Sequence, residues 1–136
     1  MSLKCTMNLF LYIQITENFE DVKFYNPIIS KIKAKSLDIT TYDIDNHSEP
    51  FIIGYANKLL SEATKTIILI ETNQQSSFSK LMSLLTYILD NPEGKEIIIV
   101  GNNLRLEKIL SVFPHSNVPE TTYEIEQIEQ NLARFF

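Results

Sequence analysis

Two short runs constrain this chain more than any other feature. Thr66-Ile-Ile-Leu-Ile70 and Ile97-Ile-Ile-Val100 are almost wholly apolar and rich in β-branched residues. They lack the in-out alternation of a strand with one wet face, so each needs cover on both sides, as interior strands of a parallel sheet do. A third run, Thr6 to Ile15, puts Met7, Leu9, Leu11, Ile13 and Ile15 on one face and Phe10 and Tyr12 on the other, which again predicts a mostly buried strand.

Between these runs the period changes from two to 3.6. Asn26-Pro27 reads as a helix start, because Asn caps free amides and Pro fits the first helical turn, with Ile28, Ile29 and Ile32 as the buried stripe; the alternative is a longer helix from Phe19 kinked at Pro27, which costs a hydrogen bond in mid-helix. Leu37 to Asp43 alternates less regularly and predicts an edge strand. Ser48-Glu49-Pro50 opens a second helix with Ile52, Tyr55, Ala56, Leu59 and Ala63 facing inward. A third helix begins at a Ser76 or Ser77 cap, carries Phe78, Leu81, Met82, Leu85, Ile88 and Leu89, and stops at Asn91-Pro92-Glu93-Gly94. Asn103 caps a fourth, from Leu104 to Phe113. Thr121 to Ile125 reads either as a short fifth strand, the preferred reading, before a last helix bearing Ile128, Leu132, Phe135 and Phe136, or as part of a helix that starts at Glu120.

Strict strand-helix alternation implies right-handed crossovers and parallel strands. The expected fold is therefore α/β: a three-layer α/β/α sandwich around a mostly parallel five-stranded sheet, in the flavodoxin-like, Rossmann-like order 2-1-3-4-5. The 136 residues suffice for one domain over 1–136, with 1–4 ahead of the patterned sequence and read as a disordered or vector-derived lead.

Charge narrows the partners. Twelve Lys and Arg against seventeen Asp and Glu give a net charge of −5, which opposes nucleic-acid binding. No apolar run approaches the roughly 20 residues of a membrane span, and no export signal is evident, so the expected compartment is the cytoplasm. Cys5 is the only cysteine and excludes a disulfide framework.

In such a sheet, ligands gather beyond the carboxyl ends of the strands, at the crevice where neighbouring crossovers leave on opposite faces. Here that crevice falls between strands one and three. The candidate ligand-binding residues on its rim are Thr16, Asn18, Glu71, Asn73, Ser76, Ser77, Asn102 and Asn103. Ordinary loops and helix caps use the same residue types, so only their convergence favours function.

Several chemistries are disfavoured. The first loop, Thr16-Glu17-Asn18-Phe19, lacks glycine and adds a negative charge, unlike the phosphate-cradling loop of flavodoxins, which makes flavin mononucleotide a minor candidate and leaves the cofactor open. Asp43 and Asp45 stand two strand spacings from Glu71, which strains a shared metal shell. Phosphoacceptor receivers carry an acidic pair after strand one and an Asp after strand three, where this chain has Glu17 and Glu71. His47 and His115 fall on opposite rims.

From Thr66 onward, the succession Ile67-Ile-Leu-Ile, Ser76-Ser77, a long helix, Ile97 to Gly101 and Leu106 to Val112 resembles anti-sigma-factor antagonist domains. The resemblance implies partner switching through a phosphorylated serine in Asp-Ser-Ser-Gly. Gln75 replaces that Asp and Phe78 that Gly, and the helix between strands one and two is foreign to that fold.

The leading expectation is a non-enzymatic regulatory or protein-interaction domain. A homodimer is one form, suggested by the wide stripe Leu81, Leu84, Leu85, Tyr87, Ile88 and by Phe135-Phe136. Its rival is a binding domain or enzyme for a nucleotide-like or anionic small molecule, with Glu71 as acid or base.

Overall fold

A computed structural model describes residues 7–22, 27–35, 38–73, 77–112 and 116–117. Its full strands are β1 (Asn8–Gln14), β2 (Ile39–Asp45), β3 (Lys65–Thr72) and β4 (Lys95–Gly101). The helices are α1 (Pro27–Lys35), α2 (Pro50–Glu62), α3 (Met82–Asp90) and α4 (Leu104–Leu110). All four strands run parallel in the order β2-β1-β3-β4, which makes this an α/β fold. A two-residue strand, β5 (Ser116–Asn117), pairs with Ile97 and Ile98 of β4. Thr121 to Ile125, expected to form the fifth strand, lies outside the described residues.

The alternating faces of the strands build two cores. Leu9, Leu11, Ile13, Ile68, Ile70, Ile97 and Ile99 face α2, α3 and α4, whose Ile53, Leu60, Leu85 and Leu106 complete the larger one. On the other side Phe10, Tyr12, Ile67, Leu69 and Ile98 pack with Ile32 of α1. Every residue from Ile67 to Ile70 is fully buried. Each such side chain contributes roughly 1.5–3 kcal/mol, so β3 holds the two cores on one backbone.

Four local expectations change. β2 spans Ile39–Asp45 and so runs past Asp43, while Leu37, expected at its start, lies outside the described residues. The third helix opens with a 3-10 turn, Ser79–Leu81, and becomes α-helical only at Met82. This shortened entry changes its phase: Leu84 is buried, while Met82 is 38% exposed. The stripe read as surplus is core, since Leu81, Leu84, Leu85 and Ile88 are buried and Tyr87 packs against them. On α2, Tyr55 turns outward at 48% exposure, where its ring meets Tyr42 edge-on at 5.2 Å.

Lys95 lies at the opposite, amino end of the sheet and is 7% exposed. Its ammonium donates to the Asn91 carbonyl at 2.6 Å, just past the C-terminus of α3, and sits 5.8 Å from the Tyr87 ring centroid. Burial lowers its pKa, and Glu93 opposes that shift. The unfolded chain therefore holds this proton more tightly than the folded one. As pH rises from the lowered value toward the ordinary 10.5, the desolvation cost is relieved and folding gains. Urea midpoints across this window should show wild type gaining on Lys95→Met as pH rises. A gap independent of pH would mean that the ammonium is not desolvated.

Candidate functional site

At their carboxyl ends the strands stand level: Gln14 is in register with Asp45 on one side and Glu71 on the other, and Thr72 with Gly101. The crossovers diverge between β1 and β3, α1 lying on one face and α2 and α3 on the other. An open crevice of about 200 Å³ lies there, lined by Gln14, Ile15, Thr16, Asp21, Glu71, Thr72 and Asn73. Small-molecule sites usually offer roughly 300–1,000 Å³, so this space is small for a nucleotide.

Much of the polar equipment around the crevice binds other parts of the chain. Tyr12, 1% exposed, points along the sheet toward the end of β3 and donates its hydroxyl to Glu71 Oε2. That bond fixes one wall of the crevice. Asn103, also 1% exposed, donates to Thr72 Oγ1 at 3.1 Å, while its carbonyl oxygen accepts from the Leu106 amide at 3.2 Å as the cap of α4. The ends of β3 and β4 are thereby joined.

Asn46 makes the most connections. Its Oδ1 accepts from the Thr16 amide at 2.9 Å, and its Nδ2 donates to the Thr16 carbonyl at 2.8 Å and the Ser77 carbonyl at 2.6 Å. One buried amide thus links the loops that follow β1, β2 and β3. His47 adds Nε2 contacts to the Thr16 carbonyl at 3.2 Å and to Thr16 Oγ1 at 3.1 Å, and its ring meets Phe19 edge-on at 6.2 Å. Thr16 Oγ1 in turn donates to the Asn18 carbonyl at 2.9 Å.

The predicted rim residues fall into three groups. Thr16, Glu71 and Asn73 line the crevice. Asn18 and Ser77 stay near it through carbonyls that accept from Thr16 and Asn46, whereas Asn103 ties β3 to α4. Asn102 is exposed beyond β4, and Ser76 lies outside the described residues. Ser77 does not cap the third helix: Phe78 occupies the position before the 3-10 turn, Leu81 the position before α3, and neither makes a side-chain cap bond.

Sequence reasoning missed Asn46 and Tyr12 as parts of this rim. Tyr12 carries a usable signal, since it lies on the same strand face as Gln14, which follows two residues later, and a phenol is long enough to reach past its cross-strand neighbour. Among the described residues, no group of three or more His, Cys, Asp or Glu could hold a metal ion, and no helix is long and apolar enough to cross a membrane. No protein-family model, curated protein or solved structure matches the chain.

The rim has a second property. Phe19 is 58% exposed, Phe51 70%, Met82 38% and Leu104 62%. Each sits in a βα connection or at the start of its helix: Phe19 in the 3-10 turn after β1, Phe51 in the first turn of α2, Met82 at the start of α3 behind the 3-10 turn that follows β3, and Leu104 at the start of α4. Every full βα connection therefore presents one large apolar side chain at the carboxyl-end rim.

Proposed function

We propose that this chain is a non-enzymatic regulatory or protein-interaction domain of the cytoplasm. Its carboxyl-end rim, on a flavodoxin-like sheet of order 2-1-3-4-5, is the surface that meets the partner. The observation that carries this reading is the apolar series Phe19, Phe51, Met82 and Leu104, one from each full βα connection. Scattered apolar side chains are normal on any surface, but a set gathered at one end of a sheet characterises interaction sites. The bonds of Asn46, Tyr12 and Asn103 support it too, because they make the rim a stiff platform.

The rival reading, a small-ligand site, draws on the crevice and on Glu71 at its wall. Its size favours the first reading.

Site-specific photo-crosslinking in the source cells tests the proposal. A photoreactive phenylalanine at position 51 or 104 is expected to trap a protein partner, while the same group at Val112, 75% exposed beyond the far end of α4, traps none. Equal trapping from position 112, or none from the rim positions, would overturn it.

A further inference from the structure

The apolar rim is electrostatically divided. Glu17, Glu20 and Asp21 flank Phe19 in the sequence, and Glu49 lies two residues before Phe51; all four carboxylates are exposed. The loops after β1 and β2 touch, because Asn46 and His47 bond to Thr16 and the His47 ring meets Phe19. Neither 14–22 nor 45–51 contains Lys or Arg. On the other half the exposed charges are cationic, Lys80 and Arg105 near Met82 and Leu104, with the half-buried Glu107 in the first turn of α4 as an acidic neighbour.

We propose that the half formed by the loops after β1 and β2 docks a cationic amphipathic segment of another protein, its Lys and Arg paired with Glu17, Glu20, Asp21 and Glu49 and its apolar side chains seated on Phe19 and Phe51. This assignment rests on the interaction reading of the rim and specifies the partner's chemistry. Large apolar anchors supply most of the binding free energy, while complementary charge supplies approach rate and selects the partner. Anionic lipid and nucleic acid are repelled by the same carboxylates. A second copy fits poorly, since it carries a net charge of −5 and its own rim offers Lys80 and Arg105 against four carboxylates. A separate cationic chain meets both the aromatic and the acidic requirement.

The test is an amide NMR titration of the labelled chain with two short synthetic amphipathic peptides, one of Lys and Leu and the other of Glu and Leu, at about 0.15 M salt to screen distant charges. The Lys peptide is expected to shift amides in 16–21 and 46–51, and the Glu peptide to shift none. Phe19→Ser/Phe51→Ser and Glu17→Gln/Glu20→Gln/Asp21→Asn should each raise Kd at least about tenfold. Val112→Ser, 75% exposed beyond the far end of α4, should change it less than about twofold. All the substituted side chains are exposed, and a thermal melt of each variant is the check that it folds.

Equal binding of the Glu peptide, or shifts centred on 79–82 and 104–105, would overturn the cationic assignment while leaving the rim as the interaction surface. So would a peptide-free dimer through these loops, detected by light scattering and abolished by Phe19→Ser/Phe51→Ser. Absence of shifts with either peptide overturns the assignment as well, and cross-linking from position 51 or 104 then decides whether the wider interaction reading survives.

Discussion

Gly101→Ala is expected to cost about 3 kcal/mol of folding stability, within the range of a strained backbone combined with a buried clash. Gly101 ends β4 at φ +98°, a region that side chains with a Cβ rarely adopt. A Cβ there would also lie 2.0 Å from the Thr72 carbonyl oxygen and 3.2 Å from its carbon. The obstacle is backbone in the adjacent central strand, so it cannot swing aside as a flexible side chain would. Relief requires β4 to withdraw from the end of β3, which breaks the Thr72–Gly101 register and strains the bond from Asn103 to Thr72 Oγ1. Urea denaturation measures the effect. A loss below about 1 kcal/mol would show that the two strand ends separate easily and that the rim is not stiff there.

Asn46→Ala should cost about 1 to 3 kcal/mol, roughly the cost of removing three hydrogen bonds from partly buried backbone groups. The substitution leaves the Thr16 amide, the Thr16 carbonyl and the Ser77 carbonyl each short of one bond. Asn46→Asp is expected to be at least as damaging, because it keeps the acceptor for the Thr16 amide but turns a carboxylate toward two carbonyl oxygens. Amide exchange at Thr16 should accelerate in both variants, since its partner is lost or its loop loosened. Loss of less than about 0.5 kcal/mol, with unchanged exchange at Thr16, would mean that the three loops hold together without this side chain.

These two positions also show what the sequence made legible. The alternation of buried β runs with helical stripes predicts the element order and the divergence of crossovers between β1 and β3, because periodicity records which face each residue buries. The same rule failed at the third helix. Ser76 and Ser77 are better caps than Phe78, but Phe78 is 4% exposed and belongs to the core, so packing sets where the chain turns. Packing against Tyr42 likewise holds Tyr55 outside the stripe predicted for α2.

The rim was harder to read. Thr16, Glu71 and Asn73 follow from strand ends alone, which topology places beside the crevice. Asn46 leaves no periodic trace, because it bonds to backbone groups 30 and 31 residues away. Phe19, Phe51 and Leu104 were equally hidden: one exposed apolar residue per helix start is invisible in any single helix and becomes a pattern only when the sheet brings four starts to one end.

The central claim is that this end of the sheet is a protein-facing surface whose polar groups hold the loops together, rather than a pocket awaiting a small ligand. A thermal-shift screen of the purified chain against nucleotides, flavins, sugar phosphates and divalent metals tests it most directly, since a ligand that binds only the folded state raises the melting temperature. The account predicts no shift with any of them. A reproducible rise that is lost in a folded Glu71→Gln variant would contradict it and assign the crevice to a ligand.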